Sequence, residues 1–392
     1  MRNVIFRFAR PMTRLRGRDE RGAIGVMIAV LIGAGVLLGA AVLAVDAGEI
    51  YQNRAELQNG ADAGALAVAK SCALGTCDPG LAAQYADLNA SKLTGNTAGI
   101  YWVCGSGLGN CQGPNPGTVT NCPSPSPGVN WVDVNTYTQM PGGVSHLLPP
   151  VFARMLLGGS SYNGTTVYAC AQAAWGAPTT ATTVGFTISA CEWDTATSNG
   201  ISLAPPPPYS MPPSATLIPF DQSLTLHDYS KKVTSGTCPA NPADADAPGA
   251  FGWLQDKKTT CSVLISNNQY ATGTGVEAQN CAAVLQAAWQ NQTILYVPVY
   301  SSVTLQGSNT VYTLKGFAGF VVTGYNLLTS GAAKCGQGSP ASCEPDWLNP
   351  GLLCGPPTVC IDGVFVQALC LPASCPTLGG TNLGLTVVRL TG

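Results

Sequence analysis

The chain has 392 residues, 46% hydrophobic and only 10% charged, which makes it too long for one small domain and too apolar for a disordered protein. Arg2, Arg7, Arg10, Arg14, Arg16, Arg18 and Arg21 crowd the N-terminus against only Asp19 and Glu20, and everything after Val45 is acidic on balance. An acidic body with scattered lysines has no basic patch to displace counterions from DNA or RNA, so no nucleic acid partner is expected.

Residues 1–21 read as a basic cytoplasmic head. From Gly22 to Val45 no residue is charged, and a helix of that length spans roughly 36 Å against a hydrocarbon core of about 30 Å, so residues 22–45 read as a transmembrane helix. The arginines hold its first end in the cytoplasm, which makes the topology single-pass with the C-terminal region extracytoplasmic. A cleaved secretory signal has a shorter apolar core, although Ala40 to Ala44 offer small residues to a peptidase. A type IV pilin is cut after a glycine and carries a glutamate at the fifth mature position. Here that position holds Met27 after Gly22, or Val30 after Gly25.

Residues 46–72 contain no proline and are rich in Ala, Glu, Gln and Leu, so the helix continues out of the bilayer as a neck. Asp46 falls where the helix reaches water, a depth that tolerates a carboxylate. Arg54, Glu56 and Asp62 read as exposed, with solvation the default because exposed ion pairs contribute little. Gly60, Ala61, Gly64, Ala65 and Val68 recur at three- and four-residue spacing, a flat stripe on which a helix can approach closely. Two readings stand for that stripe: self-association or partner contact, and packing on the protein's own body.

The order "RGAIGVMIAVLIG" followed by "AVDAGEIYQNRAELQNGADAGALA" resembles the N-terminal segment of TadE/TadG-like Flp pilus-assembly proteins. The matching positions are Val45, Asp46, Gly48, Tyr51, Arg54, Leu57, Gln58, Asn59, Ala61, Asp62, Ala63, Ala65, Leu66 and Ala67. The resemblance implies a retained anchor in the lipid bilayer and Tad/Flp pilus-assembly components as partners.

Residues 73–203 alternate strand-like runs with Gly/Pro/Ser/Asn loops: "GIYWVC", "VNWVDVNTYTQ", "TTVYACAQAAW" and "TTVGFTISACEW". "SHLLPPVFARMLLGG" reads as a helical insert among them. Residues 204–214 are a Pro-rich linker, and residues 215–392 are a second β-rich region with "CSVLIS", "TILYVPVYSSVTLQG", "TVYTLKGFAGFVVTGYNLL", "CIDGVFVQALCL" and "GLTVVRLTG" as strands. The fold class is α+β: an N-terminal transmembrane helix with a helical neck, then a β-rich, disulfide-stapled extracytoplasmic region.

All cysteines follow the apolar run: Cys72, Cys77, Cys104, Cys111, Cys122, Cys170, Cys191, Cys238, Cys261, Cys281, Cys335, Cys343, Cys354, Cys360, Cys370 and Cys375. That asymmetry fits an oxidising compartment and structural disulfides, and the absence of C-x-x-C removes the usual spacing of redox and zinc-ribbon motifs. No cofactor and no metal is expected, since His146 and His227 are the only histidines and neither sits in a catalytic motif. "DQSLT" at Asp221, Ser223 and Thr225 has the order of a metal-dependent adhesion site, but Pro219 disturbs the strand that fold requires, and a plain turn is the simpler reading. "GAFGWLQDKK" and "LKGFAGFVVTGY" set glycines beside aromatics, either as a carbohydrate or partner surface or as core filling. The function expected is a non-catalytic, membrane-anchored accessory protein of Tad/Flp pilus assembly or secretion. The alternatives are a surface adhesin or cell-wall-binding protein on the same anchor, and an anchored extracytoplasmic hydrolase.

Overall fold

The computed structural model describes residues 19–90, 97–114, 122, 126–139, 165–209, 223–228, 250–255, 259–266, 269–271, 277–304, 311–328, 335, 341–348 and 359–391. Arg2 to Arg18, the helical insert with His146, the linker from Ser210 to Ser214, and Asp221, Cys238 and Cys354 lie outside the described residues.

Helix α1 runs unbroken for 55 residues, Asp19–Ala73, roughly 80 Å at helical rise. Nothing interrupts it, because the sequence has no proline there and few β-branched residues after Val45. Past Lys70 the chain reverses at Gly75, whose φ of 87° suits a residue without Cβ. The Cys72–Cys77 disulfide and the hydrogen bond from Asp78 N to Ser71 Oγ pin this turn. Helix α2, Leu81–Asn89, then returns antiparallel along α1.

The first strands are β1 (Thr97–Gly105), β2 (Asn130–Gln139), β3 (Tyr168–Gly176), β4 (Ala181–Val184) and β5 (Phe186–Ser189), followed by helix α3 (Ala190–Thr197). Then come β6 (Ser223–Asp228), β7 (Ala250–Trp253), β8 (Ser262–Ile265), β9 (Gln269–Ala271) and helix α4 (Glu277–Asn291). The remainder is β10 (Ile294–Thr304), β11 (Val311–Asn326), β12 (Cys343–Glu344), β13 (Cys360–Val366), β14 (Ala368–Cys370), β15 (Thr381–Asn382) and β16 (Leu385–Leu390). The molecule is therefore α+β, a long apolar helix followed by a strand-rich, disulfide-linked region.

One sheet has the order β1-β2-β3-β16-β14, antiparallel except where β14 meets β16. Alternation puts Val132, Val134, Ala171, Ala173 and Trp175 on one face, where they pack against Ala61, Ala65, Val68 and Ala69 of α1. In the second sheet β10 pairs with both β5 and β11, so β5, β7, β6, β13, β11 and β10 close into a six-stranded ring. Each strand of the ring is paired on both sides, by only two residue pairs where β5 meets β10 and where β6 meets β7. Phe186, Ile188, Val299, Phe320 and Phe365 cluster with Leu285 and Ala288 of α4, each large side chain contributing about 1.5 to 3 kcal/mol by burial. Tyr300, Tyr312, Val321 and Val364 form a second cluster that takes in Leu385 and Val387 of β16, joining the ring to the first sheet.

The two sheets interleave along the chain. β5, which precedes the proline segment, belongs to the ring, while β14 and β16, which follow it, complete the first sheet. Residues 204–209 of that segment lie on the body. Ala204 N donates to Phe365 O, Gln367 N donates to Ala204 O, and the Tyr209 hydroxyl donates to Pro205 O.

Six disulfides join Cys72 to Cys77, Cys104 to Cys111, Cys122 to Cys170, Cys261 to Cys281, Cys335 to Cys343 and Cys370 to Cys375. Cys191 and Cys360 are also disulfide-bonded. The Cys122–Cys170 link closes 48 residues of sequence, worth roughly 4 kcal/mol in the chain-entropy account.

Several elements differ from the sequence reading. "TTVGFTISACEW" is not one strand: it breaks at Gly185 and becomes helical at Ala190, because Ser189 caps α3 by accepting from Glu192 N. Ser223 and Thr225 lie in β6 rather than in a turn, with Thr225 opposite Asp362 of β13, and the His227 backbone pairs with Cys360. α2 and α4 are helices to which the sequence pattern assigns no element.

Candidate interaction site on the N-terminal helix

Hydropathy and position divide α1 into two parts. Its first half presents apolar side chains all round, with Met27, Leu31 and Leu37 each at least 70% exposed. Its most apolar window has mean hydropathy 2.7, long and apolar enough to cross a membrane. Its second half is packed into the head. Leu57, Gly60, Ala61, Gly64, Ala65 and Val68 are buried, so the small-residue stripe meets the chain's own α2 and first sheet. A Cβ added at Gly60 would lie 2.9 Å from Ala86 O, and one at Gly64 3.0 Å from Ala82 O. Only glycine at these two positions lets the α2 backbone come so near.

The polar motif residues seal the same seam. Gln58 Nε2 donates to Cys170 O at 2.9 Å and to Asp62 Oδ1 at 2.9 Å. Thr136 Oγ1 donates to Leu57 O at 3.1 Å, and Asn53 Nδ2 donates to Glu49 O at 2.8 Å. Glu56 is not exposed as its sequence context suggested; it is buried and accepts from Gln52 Nε2. Of the positions singled out in the neck, Gly48, Tyr51, Arg54 and Asn59 are exposed, Asp46 is half-buried, and the rest serve the head.

Residues 25–71 match the family model of Tad, the putative Flp pilus-assembly TadE/G-like proteins. This segment is TadE/G-like. The matched TadE/G-like stretch therefore covers the membrane-length half and nearly all of the packed half, stopping at Ser71 where the chain turns away. No curated protein and no solved structure matches the chain.

Sequence reasoning missed a polar site on the face of the first sheet turned away from α1. Asp133, 6% exposed, accepts from Gln172 Nε2 at 2.8 Å, and Gln172 Oε1 accepts from Thr391 Oγ1 at 2.9 Å. Burial pushes the Asp133 carboxyl up to about 6, against the hydrogen bond from Gln172 that lowers it. Above this network opens a cleft of about 230 Å³ lined by Trp131, Gln172, Thr391 and Arg389 among others. The available sequence signal was the odd positions of "NWVDVNTYTQ", where Trp131, Asp133 and Asn135 alternate with the valines that face α1.

The glycine–aromatic stretches fill core: Trp253, Phe317 and Phe320 are buried, and Gly252 leaves room for the Tyr312 ring. Among the described residues no three His, Cys, Asp or Glu side chains gather as a metal site.

Proposed function

We propose that the protein is a non-catalytic accessory component of Flp pilus assembly, anchored in the membrane by the first half of α1 and carrying an extracytoplasmic head on the second half. The match of residues 25–71 to the TadE/G-like family carries this reading, and it supports involvement with pilus-assembly components in general. The arginine-rich residues before Gly22 favour an N-terminus in the cytoplasm, and the disulfides favour an oxidising location for the head.

The head occupies one side of the neck helix, and Ala55 and Asn59 stay open on the other. A partner component is expected on that open side. A photo-reactive residue at Ala55, irradiated in native membranes, is expected to capture pilus-assembly proteins identifiable by mass spectrometry. Capture of wall material alone, or loss of the head without any pilus defect, sinks the assembly role. Gln58 is a poor place for the probe, since its amide holds Cys170 O.

The cleft beside Trp131 and Arg389 favours a second reading, a wall- or surface-binding head on the same anchor, because an aromatic side chain near a guanidinium suits a polar ligand. Deleting the head while keeping residues 1–72 separates the two readings: pilus assembly fails under the first, and only surface binding under the second.

A further inference from the structure

The first α1 residue fully covered by the head is Asn53, which follows the end of the charge-free run at Val45 by only eight residues. Eight residues of helix rise roughly 12 Å, whereas a lipid headgroup layer is about 5 to 7 Å thick on each side of the hydrocarbon. α1 continues without a break through this interval, so no flexible stalk separates the head from the bilayer. Among the side chains at this level, Ile50 and Gln52 are exposed, Tyr51 is 74% exposed, and Arg54, one residue past Asn53, is exposed with no ion pair or hydrogen bond among the described residues.

Their direction matters as much as their height. Helical side chains tilt toward the helix N-terminus, which here is toward the membrane. The Cα of Arg54 stands roughly 13 Å beyond Val45, and its stem reaches roughly 6 Å back, which brings the guanidinium down to the depth of lipid phosphates. Tyr51 starts lower, near roughly 9 Å, and its ring reaches the layer where amphipathic aromatics gather. We propose that Tyr51 and Arg54 dock the head on the headgroups of the adjacent leaflet, with Arg54 on phosphate and Tyr51 at the glycerol level. Arg54 is the one basic residue in the sequence between Arg21 and Lys70, so the site offers a single cation and no cluster that would select an anionic lipid. The lipid it fits is a zwitterionic phospholipid, whose single phosphate meets Arg54. Docking fixes the depth of the helix and the height of the head. This rests on the membrane-span reading above.

The test places an aromatic photo-reactive residue at Leu37, Tyr51 or Asn59 of the full chain, reconstituted in phosphatidylcholine vesicles, and counts lipid adducts by mass spectrometry. Leu37 reports on the span alone. Adducts at position 51 are expected to approach those at 37 and to exceed those at 59 by roughly fivefold or more. Adducts at 37 with none above background at 51 overturn docking and leave the span intact, while none at 37 overturns the span and docking together. With the probe at 51, Arg54→Gln is expected to cut adducts roughly twofold or more, and Arg54→Lys to restore most of them. An Arg54→Gln yield equal to that of the parent overturns the part given to the guanidinium.

Discussion

The two halves of α1 share one continuous helix and little else. Before Asn53 the described large apolar side chains face outward, and a Cβ added at Gly33, Gly35 or Gly39 would meet nothing beyond the helix itself within 4 Å. After it alanines reach zero exposure and glycines touch the backbone of α2. The more apolar half is thus the more exposed one. Hydropathy alone does not decide burial: bulky aliphatic residues suit a fluid hydrocarbon, whereas small residues suit a rigid sheet and a second helix at close range.

Equivalent substitutions on the two sides test this contrast most directly. Leu57→Ala, at a position 3% exposed, is expected to cost about 3 kcal/mol and to lower the melting temperature of the detergent-solubilised chain. Leu37→Ala, at a position 73% exposed, is expected to leave the same melt within about 0.5 kcal/mol. Equal losses would erase the distinction between the halves. Gly60→Leu forces α2 away from α1 at an expected cost of about 2 kcal/mol, while Gly35→Leu leaves head stability unchanged, as near-UV circular dichroism would read.

A third experiment asks whether the sheet face away from α1 contributes differently from the face that holds it. Asp133 has a raised pKa in the folded head, from 3.8 to about 6, so the folded state binds its proton more tightly than the unfolded chain does. Its favourable contribution is full below about pH 4 and lost as pH rises through about 6, so stability falls across that window. Asp133→Asn keeps an acceptor for Gln172, and it is expected to flatten the slope and raise stability at pH 7.5 by about 2 kcal/mol. An unchanged pH profile removes Asp133 as its source. The smallest effect belongs to the ring, where Lys315 pairs with Asp194 at 3.2 Å while both remain about one-third exposed. Asp194→Ala is expected to cost about 0.5 kcal/mol, screened further in high salt, and a larger loss would show that the nearby Trp193 ring depends on the pair.

Much of this organisation was legible in the sequence, and what was not has definite causes. α1 announced itself by length and by the absence of proline, and β1, β2, β3, β10, β11, β13 and β16 by alternation or β-branched runs. α2 escaped because "LAAQYADLN" buries only Ala82 and Ala86, too narrow a stripe to stand out. α4 escaped because "EAQNCAAVLQAAWQN" follows a Gly/Thr stretch and owes its place to packing on the ring and to Cys281. The motif around Leu57 and Asp62 was visible, but which surface its small residues met depended on a helix some twenty residues further on. The Asp133 network depended on Gln172 and Thr391, neighbours only after the sheet forms.

The position of β16 beside β3 sets a timetable for making the head. More than two hundred residues separate the end of β3 from the start of β16, so at typical synthesis rates β3 presents a bare edge for on the order of 10 to 40 s. Through that interval the sheet that grips α1 is a partly built structure with an adhesive margin. Until the last strand arrives, that edge can pair with any other strand it meets, so the unfinished head is at its most aggregation-prone before β16 is made.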